Sequence, residues 1–426
     1  MRKIFISISL FLIFISGAVA QKYSEFFSNE ACRIDFVLCG NKTQTAAFLD
    51  KIIREPYWGG RRSQLSTAMN LGQYRFQVTD SATNKLIYTD VFSTLYYEWQ
   101  TTPEASLINK SYEQTIQFPF PLKAAFVKIE KRTGFDSWEK LLEFGMNPAD
   151  KLIRKTRLPE IPVKEIQKNA KPENALDIAV IAEGYTKDQQ DKFYTDAARL
   201  ADQICSHEPF KKYKNRINVY AIAAISADTG VSMPQKDNWR NTAVGAHYHT
   251  FYSDRYLTTP NVFRLHDYAA LVPYDAIYIL ANTKTYGGGG IFNFYALASA
   301  DSKRAQAEVV VHEFGHSFAG LGDEYFYDND ALNDMYPLNE EPWEPNITTL
   351  VKFDTKWKKY LPAGTVIPTP ITEENKSKVG VFEGGGYRSK GIYRPSYDCR
   401  MRTNAAPTFC PVCDAAVVRR LLYITE

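Results

Sequence analysis

The stretch VVVHEFGHSFAGLGDEY, residues 309–325, restricts this chain more than any other. Three consecutive valines ask for burial, and a histidine, a glutamate and a second histidine follow within five residues. In an α-helix residues i and i+4 share a face, so His312 and His316 stand one turn apart and point the same way. Two imidazoles so placed can bind one Zn²⁺, and Glu313 beside the first can reach a water on that ion. The competing reading is a helix with a solvated polar face. The valines oppose it, because in a core helix each polar residue needs a reason. Two of only six histidines in the chain also fall here.

Gly320 and Gly322 let the chain turn sharply where the helix ends. Past such a turn a third ligand can return to the metal. The metzincin pattern H-E-x-x-H-x-x-G-x-x-H places that ligand at Gly322 and its glycine at Ala319, so the pattern does not fit as written. Slid by one residue, it makes Gly320 the turn and Asp323 the ligand, and a carboxylate can ligate zinc. The side chain of Glu324 must then diverge. It is left a supporting role, orienting an imidazole or anchoring the loop. Further on, YDCRMRTN supplies Met401 for the Met-turn that the pattern requires.

The rest of the chain falls into blocks. Arg2 and Lys3 precede an apolar run ending in Ala18-Val19-Ala20, so residues 1–20 are expected to be a signal peptide, with no transmembrane segment afterwards. Export makes the protein secreted, periplasmic or cell-surface. Residues 21–150 hold short β-type segments such as YRFQVTD and LIYTDVF, which suggest an all-β sandwich. FDSWEKLLEF reads as a short helix or an irregular turn. Residues 151–174, polar and proline-containing, are expected to be a linker. From 175 to 426 buried-type strands (DIAVIAEGYT, INVYAIAAI, DAIYILAN) alternate with helical patterns, giving an α/β (α+β) fold. IFNFYALAS, after Gly287–Gly290, is expected to be the edge strand that receives substrate.

In an exported chain six cysteines permit disulfides. Cys32 and Cys39 are expected to pair. For Cys399, Cys410 and Cys413 a disulfide staple is expected, because CPVC lacks the second pair of a zinc knuckle. The partners among these three and Cys205 are not readable. His247 and His249 are expected in a loop or along the cleft, and Tyr393 or Tyr397 is a candidate donor to an oxyanion. A net charge of +3 without a long basic block argues against nucleic acid as a partner.

HEFGHSFAGLGDEY, with CRMR and FCPVC downstream, resembles the bacterial immunoglobulin-A metalloendopeptidase family. TAVGAHYHTFYSDRYLTT is similar to that family's segment before the active helix, and the β-domain to the one its members often carry. The resemblance implies a metzincin-like zinc endopeptidase domain. It also implies His312, His316 and Asp323 as zinc ligands, Glu313 as general base and Met401 as the Met-turn. Its motifs are specific to the family and not to a substrate; a protein or peptide is implied, with host glycoproteins and immunoglobulins among the candidates. The rival reading is a surface adhesin or glycan-binding protein whose zinc site is structural or vestigial. A structural site is normally closed by four protein ligands, and only three are readable here.

Overall fold

The computed structural model of the chain describes residues 22–156, 158–301, 306–327 and 335–426, and the side chains of residues 306 and 307 are not among the features described. The expected signal peptide lies outside the described residues.

After a short helix, Tyr23–Phe26 (α1), the chain builds two four-stranded antiparallel layers. Their strands are Phe27–Gly40 (β1), Thr45–Glu55 (β2), Tyr74–Asp80 (β3), Leu86–Phe92 (β4), Lys110–Pro121 (β5), Ala125–Gly134 (β6), Ser137–Met146 (β7) and Arg154–Lys155 (β8), with a helix at Leu95–Gln100 (α2) between β4 and β5. One sheet runs β5-β1-β2-β8, where the two-residue β8 alone is parallel to its neighbour, and the other runs β4-β3-β6-β7. In β3 the side chains alternate: Tyr74, Phe76 and Val78 are buried, and Arg75, Gln77 and Thr79 are half-buried. Phe76 meets Phe92 and Phe118, and Phe36 meets Phe92, so one aromatic core joins the sheets.

Two expectations fail in this half. FDSWEKLLEF is a two-residue turn, at 135–136, that leads directly into strand β7, with no helix. Pairing with β6 overrides its helix-like spacing, and the Trp138 ring lies under the guanidinium groups of Arg132 and Arg75 at 4.3 and 4.6 Å. Cys32 and Cys39 do not pair. Both lie on β1, opposite Arg54 and Ala46 of β2. Seven residues of strand separate them by ~23 Å, far beyond the Cα separation a disulfide tolerates. The Cys32 thiol packs 4.0 Å from Met146 Sδ.

The second half is a six-stranded sheet flanked by helices. Its elements are Val163–Gln167 (β9), Leu176–Glu183 (β10), Gln190–Ser206 (α3), Ile217–Ile222 (β11), Val262–Ala269 (α4), Ala276–Ala281 (β12), Gly288–Ile291 (β13), Tyr295–Ser299 (β14) and Gln306–Ala319 (α5); Phe382–Gly385 (β15), Arg388–Arg394 (β16) and Pro411–Thr425 (α6) follow. The order is β13-β14-β12-β10-β11-β9. The four inner strands are parallel, and the edges β13 and β9 run antiparallel to them. Every residue of β10 is buried, as expected of a parallel strand covered on both faces. The stretch expected to be a linker carries two short strands, β8 on β2 and β9 on β11. Among the described residues no helix is long and apolar enough to cross a membrane.

IFNFYALAS is not the edge. Its core is β14, which lies between β12 and β13 with every residue buried. The glycine run itself forms the edge, because the chain reverses between Ile291 and Tyr295 through Asn293 at φ +50°. An apolar run is better placed inside a sheet, and glycines are what a close neighbour at the edge requires.

The two halves are joined by polar contacts. The Ser93 amide donates to Phe292 O at 2.9 Å, and Asn293 Nδ2 to Val91 O at 2.7 Å. Arg33, fully buried, pairs with Asp35 at 2.7 Å and Glu55 at 3.2 Å in the sandwich, then reaches Asp267 at 2.8 Å and Phe263 O at 2.9 Å on α4. Removing one member of a buried charge cluster strands the others. Arg33→Ala is expected to cost about 3–5 kcal/mol, read as a lowered midpoint in denaturant unfolding. A wild-type midpoint would mean that the cluster is not the joint described.

Candidate metal centre

Helix α5 owes its position to its apolar side. Val309, Val310, Val311, Phe314 and Phe318 are buried, and the helix packs on β13 and β14. The opposite side carries His312, Glu313 and His316 toward a cleft of about 730 Å³, whose lining includes all three. The helix ends at Gly320, whose φ of +65° admits a left-handed turn. That turn brings Leu321 O to 2.5 Å from His316 Nδ1. His312 Nδ1 lies 2.9 Å from Arg400 O. A carbonyl can only accept, so each Nδ1 carries the hydrogen and each Nε2 faces the centre.

There they meet Asp323. The two Nε2 atoms are 3.0 Å apart, and Asp323 Oδ1 lies 3.1 Å from that of His312 and 3.3 Å from that of His316. Tetrahedral zinc with bonds of 2.0–2.1 Å sets its ligands ~3.3 Å apart. Asp323 Oδ1 is buried, and neither imidazole approaches it with hydrogen-bond geometry. A single proton can serve one pair in this triangle, whereas a cation serves all three atoms. The donor set of two imidazoles and a carboxylate suits zinc.

The electrostatics agree. Burial opposes charge on Asp323, yet the imidazole charge of His316 holds its carboxyl well below the usual range. Burial likewise opposes charge on His316, yet the Asp323 carboxylate pulls it up to about 9. The three atoms therefore favour positive charge at the point between them. Burial raises Glu313 above the ordinary carboxylate range against the pull of both imidazoles. Tyr387 donates to Asp323 Oδ2 at 2.6 Å and fixes the carboxylate's second oxygen. Met401 is fully buried beneath the helix; a Cβ on Gly315 would come within 2.9 Å of its sulfur.

Profile comparison gives this arrangement a family. The family model described as IgA Peptidase M64 matches residues 164–378 and 371–421, and the one described as Peptidase M64 N-terminus matches residues 22–143. The chain belongs to the IgA peptidase M64 family. That is a metallopeptidase family, which makes the chain a peptidase acting on protein or peptide. No curated protein matches it.

In this M64 peptidase the cleft is built by both halves of the chain. Ser93, Tyr97 and Glu98 of the sandwich line it opposite α5. Burial pushes Glu98 up to about 7, and it accepts a hydrogen bond from Tyr256. Arg255 stacks over the rings of Tyr325 and Tyr327 at 5.8 and 5.4 Å at the same mouth. Sequence reasoning finds none of these, since α2 carries no motif and tyrosine is abundant. The two candidate oxyanion donors are placed elsewhere. Tyr393 and Tyr397 do not line the cleft; the Tyr393 amide bonds to Thr348 O, and Tyr397 stacks on Arg402. His247 and His249 lie in the loop before α4, on Tyr248 O and Asp254, and are not among the residues that line the cleft. Of the two roles open to Glu324, orienting an imidazole or anchoring the loop, its contacts suit the second: it faces away from the imidazoles, toward Asn346 and Cys413.

Asp323→Ala is expected to lower zinc affinity at this centre steeply, measured by competition with a chelator. Tyr387→Phe is expected to cost about 10–100-fold, the usual scale for a group that orients a ligand. Equal affinities for wild type and Asp323→Ala would remove Asp323 from the ligand set.

Proposed function

We propose that the chain is an exported, zinc-dependent endopeptidase with a metzincin-like centre, in which His312, His316 and Asp323 hold the ion and Glu313 is the general base. The observation that carries this reading is the triangle of two Nε2 atoms and one buried carboxylate oxygen at 3.0, 3.1 and 3.3 Å, open to a cleft that Glu313 also lines. Export rests on the leader-like first twenty residues.

Zinc held there supplies a Lewis acid for the scissile carbonyl and lowers the pKa of water. The chain does the rest. Glu313 accepts a proton from the attacking water and returns it to the departing amine. Its raised proton affinity suits a group that must do both. The Arg400 and Leu321 carbonyls keep both imidazoles in the tautomer that offers Nε2. Substrate is expected to lie along β13. Gly288 turns its peptide groups outward, to Arg255 O and the Leu257 amide. Gly290, two residues on, faces the same side of the strand and borders the cleft. An extended peptide can pair there as an added strand.

A structural ion would be enclosed by a fourth protein ligand. Here the side away from the three ligands is the cleft, which favours a peptidase over an adhesin with a vestigial site. The purified mature protein is expected to carry zinc and to lose peptide cleavage on chelation, with recovery on adding zinc back. Glu313→Gln is expected to keep the metal while kcat falls about 10²–10⁴-fold, because an amide cannot accept the proton. Cleavage at the wild-type rate by Glu313→Gln would exclude Glu313 as the base.

A further inference from the structure

A second cluster of ligand atoms lies behind the first. Glu324, Cys399, Cys410 and Cys413 are all buried, and each offers one ligand atom within 4.8 Å of the others. They come from three segments: the loop after α5, the turn before Met401, and the first turn of α6. Cys413 Sγ is 3.1 Å from Glu324 Oε1, and the Cys410 amide donates to Cys399 Sγ at 3.2 Å. None of these thiols forms a disulfide, which corrects the expected staple. The other oxygen, Glu324 Oε2, is buried with no hydrogen-bond partner.

The sequence counted CPVC as half of a knuckle because no second pair follows. Folding supplies the missing half from Cys399 and Glu324. Three thiols cannot all be consumed by one disulfide. Any pairing would leave a third thiol beside a carboxylate in a dry pocket, and Glu324 Oε2 would stay buried without a partner, which is costly. Three sulfurs and one carboxylate oxygen within a few ångströms instead meet the demands of tetrahedral zinc. The excess negative charge has local compensation. The Arg394 guanidinium is buried in the field of Glu324, Asn346 Nδ2 donates to Glu324 Oε1 at 2.9 Å, and the amides of Val412 and Cys413 turn toward the Cys410 sulfur.

We propose that Glu324, Cys399, Cys410 and Cys413 bind a second, structural zinc ion that anchors the ligand loop of the catalytic centre. Binding releases the thiol protons, and the three sulfurs bind as thiolates. The ion ties together residues that adjoin the catalytic set. Glu324 follows Asp323 and its amide donates to Met401 O at 2.9 Å, while Cys399 precedes Arg400, whose carbonyl orients His312.

The test uses the full mature protein and a His312→Ala/His316→Ala double variant. Wild type is expected to hold two zinc ions per chain and the double variant one. Cobalt substituted into the double variant is expected to give a thiolate-to-metal charge-transfer band. The band should vanish when Cys413→Ala is added and persist when Cys39→Ala is added. X-ray absorption of the zinc protein reads the sulfur shell without relying on the fold of a cysteine variant. A double variant without zinc, or a disulfide among Cys399, Cys410 and Cys413 found by non-reducing peptide mapping, overturns the proposal. Failure of the catalytic reading looks different: wild type would then hold one zinc, in a sulfur shell.

Discussion

Helix α5 and strand β13 lie so close that no side chain fits between them, and the geometry of the centre follows from that approach. A Cβ on Gly290 would collide with the Glu313 carbonyl oxygen and stand 2.9 Å from His316 Cβ; one on Gly288 would stand 2.6 Å from Glu313 Oε1. The glycine run is therefore the surface on which the helix rests. Because β13 is also the edge of the sheet, the strand that supports Glu313 is the strand beside which a peptide would lie. Base and substrate would share one reference frame, which is how a rigid scaffold gives a positioned proton acceptor.

The sequence made helix α5 and its two histidines legible because the signal is local. Five residues on one turn fix two imidazoles and a carboxylate, and a glycine eight residues after His312 fixes the turn that follows. The divergence of Asp323 and Glu324 has a related reason: adjacent side chains part, and the structure turns one to the histidines and the other to the cysteines. The mixed α+β sheet was also readable, from runs such as LDIAVIAE that only a doubly covered strand tolerates. What failed were statements about pairing across the chain. Cys32 and Cys39 looked like neighbours until β1 proved continuous through both. IFNFYALAS looked like an edge because its flanking glycines were read as punctuation, when they were the edge. FDSWEKLLEF has helix-like spacing, and only the ladder to β6 decides against it. Tyr387 reaches Asp323 from 64 residues away, a distance no periodicity reports.

The two ligand clusters share one short backbone path. Asp323 and Glu324 are consecutive, and Cys399, Arg400 and Met401 form the opposing segment. The Glu324 amide bonds to Met401 O across the gap, so the segments are stapled at the point where their side chains part toward the two clusters. This arrangement explains why a buried glutamate is tolerated next to a buried aspartate. The two side chains also differ in charge: Asp323 faces the imidazoles and Tyr387 and is held well below the usual carboxylate range, whereas burial pushes Glu324, which faces Asn346 and the Cys413 thiol, up to about 8.

The N-terminal sandwich changes meaning once its contacts are followed. On sequence grounds it is an all-β sandwich set apart by a linker. In the fold its α2 helix delivers Tyr97 and Glu98 to the wall facing the metal triangle, and Glu98 is bound to Tyr256 from the other half. The docking is set by backbone: the Ser93 amide on Phe292 O and the Asn293 side chain on Val91 O hold β4 against the turn that reverses β13 into β14. The turn that makes the glycine strand an edge is therefore also where the sandwich is seated. A shift of the sandwich would displace the cleft wall and the edge strand together. The sandwich is a structural part of the cleft, and the two matched family models cover stretches of chain that meet there.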